Sequence, residues 1–188
     1  MDIIDFVLKV DEAIPESFCD ELINIFDESS ERCRLDRSGY PNWENLFVSK
    51  LPQEDFDRIN KLIDGVNTKI LVAYQRFLGE YGLYFNSSSF EWETANIKRY
   101  VAMSDDRYDF HADVSSGNVS RRYLAFLWYL NDDFVGGETV FYPDHVITPR
   151  KGSILVFPPF WLFPHSGKRL IEGQKYIMSS YALWEVKR

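Results

Sequence analysis

An α+β fold, mainly β, is what this chain predicts: two helices in front of a jelly roll or barrel. Three observations carry that expectation. Aromatic residues make up 16% of the 188 positions, which suits a β-rich core with aromatic-lined pockets. After Gly82 the apolar pattern changes from three- and four-residue steps to strand-like alternation. The back half then breaks into about eight short apolar runs punctuated by Gly and Pro.

The elements follow in order. A first helix is expected to begin near Pro15, a good first-turn residue, with Phe18, Leu22, Ile25 and Phe26 on one face and an end at Ser29-Ser30. Cys19 lies within it and reads as a small packing residue. Residues 31–50 lack a clear period and read as irregular. The second helix is the best-patterned element, from about Pro52 to about Gly79. Its stripe of Phe56, Ile59, Ile63, Val66, Ile70 and Phe77 reads as a surface that braces a sheet. Alternation at Phe90, Trp92 and Thr94, and again at Ile97, Arg99 and Val101, predicts two strands. The near-continuous apolar run from Arg122 to Leu130 predicts a strand buried on both faces. Shorter strands are expected over Glu138 to Tyr142, Val146 to Thr148, Ser153 to Phe157 and Tyr176 to Trp184. Gly136-Gly137 and Gly152 are expected at tight turns that need positive φ. The length fits one domain, with residues 1–85 as a mainly helical support region and 86–188 as the β core.

Composition narrows the function. Lys plus Arg total 21 and Asp plus Glu 29, so the net charge is 21 − 29 = −8. That argues against a general nucleic-acid or acidic-membrane binder, since both require a cationic face. No run approaches the ~18 apolar residues that a membrane helix needs. The N-terminus, MDIIDFVLKVDEA, lacks the basic region and small-residue cleavage site of a signal peptide. Cys19 and Cys33 are too few for a disulfide framework. Together these features predict a reducing, cytoplasmic setting. There is no nucleophile-elbow motif and no phosphate-cradling Gly-rich loop.

The chemistry concentrates around the histidines. Within YDFHADV, His111 and Asp113 stand two residues apart, so a strand would turn both to the same side. A second imidazole from a later strand would complete two histidines and one carboxylate. Such a facial set leaves coordination positions open and suits non-haem Fe(II). His165 can supply it, after the strand ending at Phe157 and a Pro-rich connection. Lys175 opens the last apolar strand, where a buried ammonium must find an anion or let its stem reach water. His145, in the turn FYPDHVI, has too few neighbours for a second metal site and reads as a surface residue or one that supports the metal ligands from behind.

Four segments then carry a resemblance: YDFHAD at 108–113, WYLND followed by GGETVFY within 128–142, TPRKGSILVFP at 148–158, and HSGKRLIEGQKY at 165–176. In this order they resemble the catalytic core of the Fe(II)- and 2-oxoglutarate-dependent dioxygenases, in particular the prolyl 4-hydroxylase-like family. The resemblance covers about the last hundred residues. It implies a double-stranded β-helix (jelly roll) core with N-terminal support helices. It implies that His111, Asp113 and His165 bind iron and that Lys175 pairs with the distal carboxylate of 2-oxoglutarate. Tyr129 and Thr139 match positions at the same end of the cosubstrate, and Tyr100 and Tyr108 match tyrosines nearer its chelating end. Arg122 and Tyr181 match positions that border the substrate.

The implied reaction hydroxylates a C–H bond with O2, converting 2-oxoglutarate to succinate and CO2, with ascorbate as a reductant for the iron. Peptidyl proline in a protein or peptide is the expected substrate. A free amino acid or other small molecule is the alternative within the class, and a non-catalytic jelly-roll binding module the alternative outside it. No nucleic-acid or membrane partner is expected, and the sequence does not specify an oligomeric state. The chain departs from the family at Arg169, where a Pro often stands, and in the longer loop between Tyr100 and Tyr108, which carries MSDDR. Both changes fall near the pocket mouth, where Arg121, Arg122, Lys168 and Arg169 could form a basic rim.

Overall fold

The computed structural model describes residues 2–34, 43–83, 90–102, 104 and 108–185, with the side chains of Tyr108 and Asn118 outside that description. Both expected helices form. Helix α1 spans Glu16–Glu28 with Pro15 as its N-cap, and α2 spans Gln53–Glu80 with Pro52 as its N-cap. Proline suits both starts, since its fixed φ and missing N–H cost nothing there. Phe18, Cys19, Leu22 and Phe26 of α1 are buried, as are Ile59, Ile63, Leu71, Tyr74 and Leu78 of α2.

Among the described residues the strands are β1 (Leu8–Val10), β2 (Cys33–Arg34), β3 (Glu44–Phe47), β4 (Phe90–Trp92), β5 (Asn96–Val101), β6 (Tyr108–His111), β7 (Arg122–Tyr129), β8 (Val135–Gly136), β9 (Thr139–Phe141), β10 (His145–Ile147), β11 (Ile154–Phe157), β12 (His165–Gly167), β13 (Leu170–Glu172) and β14 (Gln174–Trp184). The major sheet runs β1-β11-β7-β14-β5-β3-β2, with β4 paired to the far end of β14. A smaller sheet runs β10-β9-β12-β6, and β13 pairs with β8. The ladders are antiparallel, in keeping with a jelly roll.

The front of the chain is more than helical. Strands β1, β2 and β3 extend the major sheet, β1 against β11 and β3 against β5. Residues 44–47 were expected to be irregular. They form a strand because the partner β5 supplies the ladder, whatever the local period.

The period-2 geometry of the major sheet separates two cores. Tyr176, Met178 and Ala182 of β14, Leu124, Phe126 and Trp128 of β7, and Ile97 of β5 pack with the helices. Their alternates, Ile177 and Tyr181, Ala125 and Tyr129, and Tyr100, pack with Phe141 and Phe163 on the other face. The helices therefore seal one face of the major sheet, and the chemistry lies on the other, between the two sheets. Gly152, at φ +78°, closes the turn before β11, and its carbonyl accepts from Ile14 N–H at 3.2 Å. Gly136 and Gly137 also hold positive φ, at +81° and +69°. Among the described residues no helix is long and apolar enough to cross a membrane.

Candidate active site

Strands β6 and β12 run antiparallel with His111 directly opposite His165. The imidazole centroids are 4.3 Å apart. Asp113 lies two residues beyond His111, where the chain leaves β6 and Val114 N–H bonds to the carbonyl of Pro159. Its Oδ1 sits 3.2 Å from His111 Nε2 and 3.8 Å from His165 Nε2. The three ligating atoms all fall within 4.8 Å of one another. Neighbouring ligands about 2.1 Å from one ion in an octahedral set would be about 3 Å apart, so small movements suffice to share a metal.

Each histidine is held in the useful orientation by its own backbone. His111 Nδ1 lies 2.8 Å from the carbonyl of Asp109, and His165 Nδ1 lies 3.2 Å from the carbonyl of Phe163. Nδ1 must carry the proton to donate there, which leaves a lone pair on each Nε2. Burial between Phe141 and Phe157 pushes His165 down to about 4, against the pull of Asp113, so its ring is neutral at physiological pH. Burial alone would raise Asp113. Its contacts with His111, His165 and Lys98 outweigh it and hold the carboxyl below its ordinary range. Two imidazoles and one carboxylate form a donor set that fits Fe(II).

A cavity of about 1020 Å³ opens beside these atoms, large enough for two small ligands. Lys175 and Thr139 line it, as do Tyr100, Arg122 and Tyr181. Lys175 is only 5% exposed; its Nζ donates to the Gly137 carbonyl at 2.6 Å and lies 5.5 Å from the centre of the Tyr129 ring. It does not reach bulk water along its stem. Burial lowers it to about 8, with Glu138 pulling the other way. A carbonyl cannot neutralise an ammonium, so among the described residues this buried charge is suited to an anion in the cavity.

Other expected positions divide. Thr139 lines the cavity, whereas Tyr129 is fully buried and is not among the lining residues; their hydroxyls meet at 2.7 Å. Tyr129 thus orients Thr139 from behind. The Tyr108 side chain lies outside the described residues, as do positions 103 and 105–107 of the MSDDR loop. Arg122 spreads its fork on Glu93, stacks 3.8 Å from the centre of the Tyr181 ring, and reaches the Asp113 carbonyl at 3.3 Å. Of the basic rim, Lys168 lines the cavity and Arg169 donates to the Ser104 carbonyl, while Arg121 is bound to Glu91 and the Trp184 carbonyl. His145 is exposed on β10. Trp43, Asn45, Asn96 and Lys98 also line the cavity, from β3, β5 and the residue just before β3. Asn96, Lys98 and Tyr100 alternate along β5, a pattern that Tyr100 already marks as pocket-facing. The half-exposed Phe110 and the exposed Trp161 stand at the mouth.

The fold and this cavity define an Fe(II)- and 2-oxoglutarate-dependent dioxygenase. Residues 95–183 match the model of the 2OG-Fe(II) oxygenase superfamily. All the candidate ligands and Lys175 lie inside the matched segment. No curated protein matches the chain at a significant level. Solved structures share the fold. The viral collagen prolyl hydroxylase of Paramecium Bursaria Chlorella virus-1, in its 2OG complex, is 20% identical with a TM-score of 0.67, covering 94% of this chain and 95% of its own. The prolyl-4-hydroxylase of Pseudomonas putida is 16% identical with a TM-score of 0.71, covering 97% of both chains. The prolyl hydroxylase of Trichoplax adhaerens, in complex with a hypoxia inducible factor peptide fragment, is 14% identical with a TM-score of 0.72, covering 95% of this chain and 83% of its own.

Proposed function

We propose that this dioxygenase hydroxylates peptidyl proline, with His111, Asp113 and His165 as the Fe(II) ligands and Lys175 and Thr139 as the anchor for the distal carboxylate of 2-oxoglutarate. The observation that carries the reading is the pairing of two opposed environments in one cavity: three convergent donor atoms, and a buried ammonium that has no carboxylate partner among the described residues. In the balanced reaction, R–H, O2 and 2-oxoglutarate give R–OH, succinate and CO2. When bound, the iron would activate O2, the oxidant of the exchange, and 2-oxoglutarate would supply two of the four electrons that reduce it.

The protein's part is placement. Asp109 and Phe163 fix the two imidazoles through their Nδ1 protons. Arg122 steadies Asp113 through its carbonyl and presents the stacked Tyr181 to the substrate side. Tyr129 turns the Thr139 hydroxyl, and Phe141 and Phe157 keep water from the inner imidazole. No side chain needs to act as a general base, because the group attacked is a C–H bond. The peptide substrate finds support in the wide mouth beside Trp161 and Phe110 and in the prolyl hydroxylase folds this chain shares. A cytoplasmic setting belongs to the same reading and is supported by two free thiols, Cys19 and Cys33.

The test is anaerobic addition of Fe(II) and 2-oxoglutarate, which should raise a weak visible charge-transfer band that His111→Ala removes. Aerobic incubation with proline-containing peptides should then release succinate and add one oxygen to the peptide. A band without peptide oxidation would reject the substrate, and no band would reject the site.

A further inference from the structure

Two side-chain amides in the cavity wall serve neither the metal donors nor the 2-oxoglutarate anchor. Along β14 every second residue from Lys175 to Tyr181 faces the cavity: Lys175 at the cosubstrate end, then Ile177 and Ser179, then Tyr181 stacked on Arg122. Asn96 of β5 pairs with Ser179 and lines the cavity beside it. It stands about 13 Å along the strand from Tyr100, the partner of Lys175, and so on the side of Tyr181. Asn45 of β3 lines the cavity one strand further out; its partner on β5 is Lys98, so it meets Asn96 on the diagonal. Asn45 is only 2% exposed, and its Nδ2 is a buried donor without a partner among the described residues; Asn96 Oδ1 is likewise a buried acceptor without one. Such groups are costly to leave unmet. The terminal torsion of Asn is soft, so each amide can turn to meet a ligand in the cavity.

We propose that Asn45 and Asn96 grip the main chain of the peptide substrate, Asn45 donating to one of its carbonyls and Asn96 accepting one of its N–H groups. The unmet atoms have opposite polarity, as the two halves of a peptide unit do. Their spacing suits an extended chain. Diagonal neighbours on a ladder stand about 7–8 Å apart, and an extended chain returns its main-chain groups to one edge every two residues, about 7 Å on. Proline keeps its surroundings extended, because its own φ is fixed and it pushes the residue before it out of the helical region. Such a chain makes no internal hydrogen bonds, so its carbonyls and N–H groups are open to a partner. Proline itself has no N–H, so the one that Asn96 accepts belongs to a flanking residue. A free amino acid has no second peptide unit to reach the other amide. This deepens the proposed function and rests on it.

The experiment uses the full-length chain loaded with Fe(II) and 2-oxoglutarate, and a capped peptide with proline at its centre and two alanines on each side. Each alanine N–H is replaced in turn by N-methyl, and succinate release gives KM and kcat for each probe. In the wild-type protein one N-methyl position should raise KM tenfold or more. Asn96→Leu should raise KM for the parent peptide and shrink that difference to within twofold, whereas Asn96→Asp, which still accepts, should keep it. Asn45→Leu should raise KM for every peptide about tenfold and leave the N-methyl difference in place. All three variants should hold the 2-oxoglutarate Kd within twofold of wild type. A flat N-methyl scan in the wild-type protein, a difference that survives Asn96→Leu, or wild-type peptide KM in Asn45→Leu would overturn the grip. Weakened 2-oxoglutarate binding in these variants would also overturn it, by assigning the amides to the cosubstrate. Failure of the parent reading shows separately, as wild-type protein that forms no charge-transfer band or that leaves the parent peptide unoxidised.

Discussion

His111 and His165 are partners across the β6–β12 ladder, and each lends its Nδ1 proton to the carbonyl two residues earlier in its own chain. Two imidazoles from distant parts of the sequence thus reach one orientation by the same local contact. Asp113 then meets both Nε2 atoms from the end of β6.

Asp113→Asn tests this arrangement without changing its size. The amide cannot supply the negative charge, so Fe(II) affinity should fall by more than the roughly 10- to 100-fold that loss of an outer-shell partner costs. The charge-transfer band and succinate release should disappear together. Equilibrium dialysis of Fe(II) provides the measurement, and retention of wild-type affinity would exclude Asp113 as a ligand.

Tyr129 and Thr139 predict an asymmetric pair of variants. Tyr129→Phe removes the hydroxyl that orients Thr139, at a cost of about 1 kcal/mol, or roughly fivefold in 2-oxoglutarate KM. Thr139→Val does more: it takes a contact from the cosubstrate and leaves the fully buried Tyr129 hydroxyl without its partner. That should cost about 1–3 kcal/mol of stability as well. Denaturant unfolding and 2-oxoglutarate titration together separate the two effects. Unchanged 2-oxoglutarate KM in both variants would remove these residues from the anchor.

Much of this architecture was legible in the sequence. A near-continuous apolar run exposed β7, alternation exposed β4 and β5, and the three-to-four-residue stripe exposed α2. The convergence of His111, Asp113 and His165 was legible because residues two apart on a strand face one side and a later strand could bring the second imidazole, although His-x-Asp alone is a weak signal. The short strands divide: β9, β10 and β11 fall in the runs read between Gly and Pro, whereas β1, β2, β3 and β12 were not legible. β12 has only three residues, His165–Gly167, too few to show a period, and its pairing comes from β6 and β9. Tyr129 was expected at the distal end of the cosubstrate, but only the fold shows that it meets the Thr139 hydroxyl and does not itself line the cavity. Lys98 was missed because it sits beside Arg99 in a charged pair, although strand parity sends the two to opposite faces. Arg99 binds Asp27 and Glu44 on the helical side.

Gly152 predicts a purely structural variant. At φ +78° it holds a conformation that costs other residues about 1–3 kcal/mol. An added Cβ would also meet the Ile14 carbonyl at 2.7 Å, pushing apart the turn before β11 and the chain entering α1. Gly152→Ala should therefore lower the denaturant midpoint substantially while the folded fraction keeps wild-type Fe(II) affinity. An unchanged midpoint would contradict the packing described at this turn.

Lys175 predicts a pH dependence whose sign is fixed by its burial. Its folded value of about 8 lies below the ordinary 10.5, so burial disfavours the charged form of the empty site. Below about pH 8 the ammonium is present and carries the full cost of its burial; between there and 10.5 that cost fades, so this group makes the ligand-free protein more stable as pH rises. Binding runs the other way. The carboxylates of 2-oxoglutarate remain ionised throughout this range, and they favour the charged lysine. Affinity should be flat below about pH 8 and weaken above it, approaching tenfold per pH unit as each binding event must take up a proton. Lys175→Met should bind 2-oxoglutarate weakly at every pH, without the slope, and keep its Fe(II) affinity. Calorimetry in buffers of different ionisation enthalpy counts the proton directly. A wild-type Kd that does not change between about pH 7 and about pH 9.5 would show that the lysine is not the group that holds the cosubstrate.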